Sequence, residues 1–202
     1  MRTNPFSDIW AFLTDVYWAT PVYWLLVAAS IVIALRVLRQ APAQRSAQDI
    51  VQWIVRLIVG SMWWQQSLWK VPPNFDGLRY WTEQMVEHAA FAIHAQLVKT
   101  IVLANFVPFA YMVYFAEVAV AVSLILGLFV RAGAVVGGLL ILNLYFGLYR
   151  SPAEWPWTYV FLILLMVLFA FGRYGRCLGA DALIVARQDR LQGWRRWLLE
   201  LT

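Results

Sequence analysis

The chain has 202 residues, is 62% hydrophobic and 13% charged, and carries a formal net charge of +5. That apolar content is too high for an ordinary soluble domain. Most of the basic residues flank the hydrophobic runs, so the positive balance is a topology signal and not a nucleic-acid one. A single cysteine, Cys177, excludes an internal disulfide, a CxxC redox pair and a multi-thiolate metal site. With His88 and His94 as the two histidines, neither a metal site nor a bis-histidine haem is expected. Redox chemistry on this chain would need a diffusible carrier such as a quinone, or would belong to a partner.

At the N-terminus, Phe6, Ile9, Trp10, Leu13, Val16 and Tyr17 alternate with Asp8 and Asp15. That spacing suits an amphipathic helix lying at a membrane interface, and the segment does not read as a cleavable signal peptide. Five apolar runs then follow, at about 22–38, 50–69, 107–129, 132–149 and 157–172. Each is close to the length a helix needs to cross hydrocarbon about 30 Å thick. The long connection 71–105 opens with Pro72-Pro73-Asn74, which stops the preceding helix. From about 78 to 100 its pattern turns helical, with Leu78, Trp81, Met85, Ala89, Ala92 and Leu97 on one face. Glu83, Glu87 and His94 lie opposite, but Glu87 and His94 stand about 10 Å apart along a helix, so a solvated face is the better reading than a metal site. The tail after Asp181 mixes Leu183, Leu191, Trp194 and Trp197 with arginines. This predicts a basic amphipathic helix, resting on anionic lipid or docking to a partner.

The predicted fold is therefore an all-α integral membrane protein with five spans and amphipathic terminal helices. Residues 1–49 form an interfacial helix and an extra membrane helix, 50–184 a four-helix membrane unit, and 185–202 the basic tail. Arg36, Arg39, Arg45, Arg131, Arg173, Arg176, Arg187, Arg190, Arg195 and Arg196 fall on one side of this arrangement. The positive-inside rule then puts the N-terminus outside and the C-terminus in the cytoplasm. Many aromatics, Trp64 among them, gather toward the outer side, as a headgroup belt or as a platform for a flat ring.

Chemistry is expected around Glu117, the one carboxylate inside the apolar stretch 106–130. A carboxylate at membrane depth costs at least a few kcal/mol unless it is paired or hydrogen-bonded. Glu117, Ser61 and Asn143 are each predicted about 15–18 Å from the inner helix ends, as one polar layer near the midplane. Arg56 approaches that layer from the inner side as a partner for Glu117. Gln65, Gln66 and Lys70 continue a polar track to the outer rim. The set is read as interhelical polar contacts, or as a proton-handling carboxyl beside a small ligand. Gly133 and Gly137, at GxxxG spacing, predict close helix packing within the bundle or between protomers.

The pattern of residues 50–184 resembles the DoxX/DoxD family of small prokaryotic membrane proteins. The resemblance lies in Arg56-Leu57-Ile58-Val59-Gly60, Lys70, Phe115-Ala116-Glu117, and Leu126-Gly127-Leu128-Phe129-Val130-Arg131-Ala132-Gly133-Ala134. It ends with Gly172-Arg173-Tyr174-Gly175-Arg176 and Leu178-Gly179-Ala180-Asp181. About two thirds of the chain is covered. The resemblance, closer to the DoxD type found with thiosulfate:quinone oxidoreductase, implies a four-helix unit, a link to sulfur or quinone redox chemistry, and a partner subunit. By motif match, Arg56, Lys70, Glu117 and Arg131 are the family-type polar positions.

Two functions follow as expectations. The first is the cytoplasmic-membrane subunit of a quinone-linked, sulfur-compound oxidoreductase, with Glu117 and Arg56 catalytic and Ser61, Trp64, Gln65, Lys70 and Asn143 binding the ligand. The second is a non-catalytic accessory or assembly subunit packing into a larger complex or a homo-oligomer. A transporter fits less well, because no inverted repeat or broken-helix pair is visible.

Overall fold

The computed structural model describes residues 4–14, 18–41, 44–187 and 199–202. Among the described residues every regular element is helical. Helices α1 (Pro5–Thr14), α2 (Ala19–Gln40) and α3 (Ala47–Leu68) are followed by the short α4 (Asp76–Glu87) and α5 (Ala92–Leu97). A π-helical turn, Val98–Val102, and a 3-10 turn, Leu103–Asn105, carry α5 into α6 (Phe106–Leu126). Then come α7 (Val130–Gly147), α8 (Pro156–Phe171), a 3-10 turn at Tyr174–Arg176 and α9 (Ala180–Val185).

Local sequence explains the boundaries. Ser46 and Asp49 form a reciprocal capping box that starts α3. Pro156, in the first turn of α8, needs no intrahelical N–H partner there. Gly127 ends α6 in the left-handed region, at φ 68°, where glycine lacks the Cβ penalty.

Among the described residues three helical stretches are long and apolar enough to cross a membrane: Ala19–Gln40, the 35-residue run Ala92–Leu126, and Val130–Gly147. Of the five spans expected, those at 50–69 and 157–172 do not meet both criteria. Helix α3 has the length, 22 residues, but carries Asp49, Gln52, Arg56, Gln65 and Gln66. Helix α8 is strongly apolar but has only 16 residues.

The expected loop helix at 78–100 is divided. Helix α4 stops at Glu87 because the chain is then tied to the end of α7. Ala90 N–H donates to the Phe146 carbonyl at 2.7 Å, and Arg150 N–H donates to the His88 carbonyl at 2.9 Å. From Ala92 onward the chain belongs to the long helical run that leads into α6, so that run begins about fifteen residues earlier than the sequence suggested. The tail expected to be amphipathic at 185–202 falls largely on 188–198, outside the described residues.

Helices α3 and α6 run antiparallel at the centre, since Gly60 meets Leu124 and Ile125 while Lys70 meets Glu117. A Cβ on Gly60 would stand 2.9 Å from the Ile125 backbone nitrogen, so only glycine permits this approach. Helices α7 and α8 pack against this pair, and α2 lies on the other flank, where Tyr23 Oη and Ser61 Oγ share a 2.9 Å hydrogen bond. Val120, Leu124, Met166 and Phe169 form the most deeply buried part of the core.

The GxxxG residues work inside this bundle. Gly133 abuts Ser123 of α6. A Cβ on Gly137 would lie 3.1 Å from both Trp63 of α3 and Met166 of α8, and 3.3 Å from Val120 of α6. Gly137→Leu should therefore destabilise the protein by about 1–3 kcal/mol through overpacking. Gly138→Ala, whose Cβ meets Met166 at an ordinary 3.6 Å, should change stability little. Thermal unfolding in detergent checks both; equal melting temperatures for the two variants would contradict this packing.

Candidate functional site

Helix α3 ends at Leu68, and the chain turns at Trp69-Lys70 before Pro72-Pro73. The turn points the Lys70 ammonium back into the bundle. There it donates to both carboxylate oxygens of Glu117, at 2.5 and 2.6 Å. Glu117 sits nine residues before the end of α6, about 14 Å along the helix. Both residues are 4% exposed. The ammonium also stands 4.5 Å from the centre of the Trp69 ring, a cation–π contact. Two charges taken out of water need each other: the pair offsets a desolvation penalty that either residue alone would bear in full.

The pair lines a cavity of about 450 Å³ bounded by α3, α4, α6, α7 and α8. Trp69, Trp81 and Tyr159 give it aromatic walls, and Gln66, Asn143 and Glu154 add polar groups. Tyr159 donates its hydroxyl to Glu154 at 3.1 Å. Asn143 Oδ1 lies 3.1 Å from His94 Nε2, which ties α7 to α5 beside the cavity. The arrangement offers a fixed cation, two carboxylates and flat apolar walls within one space. Among the described residues no group of three His, Cys, Asp or Glu side chains is placed to hold a metal ion.

The expected polar layer is therefore split. Glu117, Lys70 and Asn143 come together at the cavity. Ser61 does not: it donates to the Leu57 carbonyl and faces Tyr23 of α2. Trp64 packs with Tyr23, Ala121 and Ile125, also on the α2 flank. Gln65 is exposed, and its neighbour Gln66, turned about 100° around the helix, lines the cavity in its place. Trp81 and Tyr159 belong to the aromatics expected as a headgroup belt or as a platform for a flat ring, and both line the cavity, whereas Glu154, in the outer connections, was not foreseen. Glu154 was visible as one of the few acidic residues there, but nothing in its neighbours linked it to Glu117.

Arg56 is not the partner of Glu117. It lies fourteen residues before Lys70 on α3, about 21 Å away along the helix. It is fully buried, and its Nη1 donates to the Leu124 carbonyl at 3.0 Å. The last carbonyls of a helix lack intrahelical partners and favour a cation, so Arg56 caps α6. A side chain at Gly127 would collide with the guanidinium.

Asp181, also fully buried, accepts from the N–H groups of Phe129 at 2.7 Å and Val130 at 3.1 Å, capping the start of α7. Its own N–H donates to the Gly127 carbonyl at 2.8 Å. The α6–α7 turn is thus held from both sides by two charged side chains distant in sequence. Of the motif residues quoted above, Arg56, Gly127, Gly175, Gly179 and Asp181 meet here, while Lys70 and Glu117 meet about two turns or more away along α6. Arg131, the remaining family-type polar position, donates from Nε to the Ala170 carbonyl at 3.0 Å, near this turn.

Comparison with protein-family models, with curated proteins and with solved structures found no match.

Two outcomes follow from this geometry. Lys70→Met or Glu117→Leu alone leaves one buried charge unpaired and should destabilise the protein by about 3–5 kcal/mol, whereas the double variant should regain most of the loss. Denaturant unfolding of all four forms checks this, and additive single effects would refute the pairing. The second concerns Asp181, whose carboxyl burial pushes up to about 6 against the pull of two N–H groups and of Arg56 and Arg176. Between the usual 3.8 and about 6 the folded chain keeps a proton that the unfolded chain releases. This component of stability should fall as pH rises through that window and be missing from Asp181→Asn; an unchanged pH profile in the variant would count against it.

Proposed function

We propose that the chain is a five-span protein of a prokaryotic cytoplasmic membrane, formed by α2, α3, α6, α7 and α8. In this reading α4 lies outside and α9 in the cytoplasm, in keeping with the excess of arginine at the α9 end. Helix α3 rises about 33 Å and α8 about 24 Å; α3 packs along α6 and buries its Arg56 there, and α8 packs along α7 with an apolar outer face suited to lipid.

Within this membrane unit, the Lys70–Glu117 cavity binds the headgroup of a quinone, as a subunit of a DoxX/DoxD-type quinone-linked oxidoreductase. The observation that carries the reading is a buried cation–carboxylate pair on the wall of an aromatic-lined cavity. A space of about 450 Å³ lies within the usual range for small-molecule sites. A quinone ring needs flat apolar walls, a donor for a carbonyl oxygen and a group that handles protons. Trp69, Trp81 and Tyr159 supply the walls and Lys70 the donor. Glu117 holds a proton or releases it beside the ring, and the Glu154–Tyr159 hydrogen bond provides a second proton-holding pair. A quinone, when bound, supplies two-electron, two-proton exchange; the reducing equivalents come from a partner subunit.

Mass spectrometry of the protein purified from its own membranes in mild detergent tests this. Quinone and a redox partner should co-purify with the wild type. Glu117→Gln should accumulate in the membrane yet lose quinone-dependent turnover by about 100-fold or more. Wild-type turnover in that variant would sink the proposal.

The accessory-subunit reading has one observation in its favour. Lys70 neutralises both oxygens of Glu117, as a clasp between α3 and α6 would. Under that reading the Lys70→Met/Glu117→Leu double variant assembles and supports its complex like the wild type, and no quinone accompanies the chain.

A further inference from the structure

A second space adjoins the Lys70–Glu117 cavity. It has a volume of about 440 Å³ and lies between α4, α6 and α7, reaching back to Val102 and Phe106. Its lining is apolar except for Thr82 and Asn143. Six residues line both spaces: Leu78, Thr82, Val102, Val113, Leu140 and Asn143. The two volumes therefore meet across one set of side chains. At its far side the groove is bordered by Met112, Val136 and Leu139, which are 54%, 40% and 61% exposed. These apolar residues lie on α6 and α7, two of the stretches apolar enough to cross a membrane, so the groove opens toward lipid and not toward water.

The charge pair and the groove differ in chemistry but share a wall. A ligand that filled only the polar cavity would leave the groove unexplained, and an ordinary acyl chain would have no use for the adjoining ion pair. The geometry points to one amphipathic occupant: a prenyl-tailed quinone whose head lies in the Lys70–Glu117 cavity and whose tail lies in the α4–α6–α7 groove. This rests on the quinone reading above and adds the tail site and the route. The ligand enters sideways from the bilayer, head first, past Leu140, Val113 and Asn143, and the tail stays behind in the groove.

The two polar residues of the shared wall fit a passage for a polar head. Thr82 donates to the Leu78 carbonyl at 2.7 Å, and Asn143 is held by His94, so both are partnered while the passage is closed. The long helix also changes character here. Val102, on the shared wall, ends the π-helical turn, and such local π-helix is frequent at functional sites.

Lipid tails are as apolar as the groove, so the tail gains little from leaving lipid. The groove acts by admitting the tail while the head is bound. Blocking it should then discriminate by tail and leave the head site intact. The test uses the full chain in lipid nanodiscs and two probes: a benzoquinone with a ten-carbon tail and the same benzoquinone without one. Quenching of tryptophan fluorescence, with Trp69 and Trp81 on the cavity wall, reports binding. Probe concentrations are expressed per lipid to remove partitioning. Leu139→Phe and Val136→Phe narrow the groove at exposed positions, so a folding defect in one leaves the other to decide.

In the wild type both probes should quench. In the two variants the tailed probe should weaken by about tenfold or more, as expected for overfilling a packed groove, while the tailless probe stays within about twofold. If the tailless probe binds the wild type and the variants leave the tailed probe unaffected, the groove is not the tail site and this inference fails while the head site stands. If neither probe binds the wild type, the quinone reading fails and takes this inference with it.

Discussion

A lysine and a glutamate are buried together where neither could stay alone. Lys70 reaches Glu117 only because α3 and α6 run antiparallel in close contact, and that contact exists because Gly60 lets the Ile125 backbone approach to a distance no side chain would allow. The ion pair thus depends on the packing, and the packing is in turn fixed in register by the pair. A shift of either helix by one residue would move it about 1.5 Å and turn one of the two charges away from its partner. The same register places Trp69 beside the ammonium and leaves the cavity between α3, α4, α7 and α8 open.

The end of the bundle at the α6–α7 turn solves a different problem with the same residue types. A short turn between α6 and α7 leaves the last carbonyls of one helix and the first N–H groups of the next without intrahelical partners. Arg56 satisfies a carbonyl and Asp181 two N–H groups. Glycines at 127, 175 and 179 make the room, since a Cβ at any of them would collide with the guanidinium, the carboxylate or neighbouring backbone. At this end Arg56 and Asp181 are committed to backbone groups. Lys70 and Glu117 instead line a cavity, which is why ligand binding is proposed there and not at Arg56.

Much of the architecture was legible in the sequence, because hydrophobic length and helix-stop signals act locally. The helices at 22–38, 107–129 and 132–149 match α2, α6 and α7 to within a few residues, and Glu117 stood out because a carboxylate in an apolar helix needs a partner. Its partner was harder to read. Helix rise gives depth along one helix but not which faces meet, so Ser61 and Asn143 were placed in one layer with Glu117, and Arg56 just inside it, on depth alone. The antiparallel register set by Gly60 separates Arg56 from Glu117 and brings Lys70 in, and that register is a tertiary fact. The division of 78–100 was hidden for a similar reason: backbone bonds from Ala90 to Phe146 and from Arg150 to His88 tie the chain after α4 to the end of α7, and no local residue announces them. Asp181 was quoted for its motif without a role, since its work as the cap of α7 crosses about fifty residues of chain.

The account turns on Glu117 being an ionised carboxylate that faces a ligand-sized space. Infrared difference spectroscopy of the protein in lipid, recorded on adding a quinone and compared with Glu117→Gln, measures this directly. The account predicts a shift of carboxylate bands on ligand addition that is missing from the variant. A difference spectrum with no carboxylate change, or one identical in wild type and variant, would contradict it.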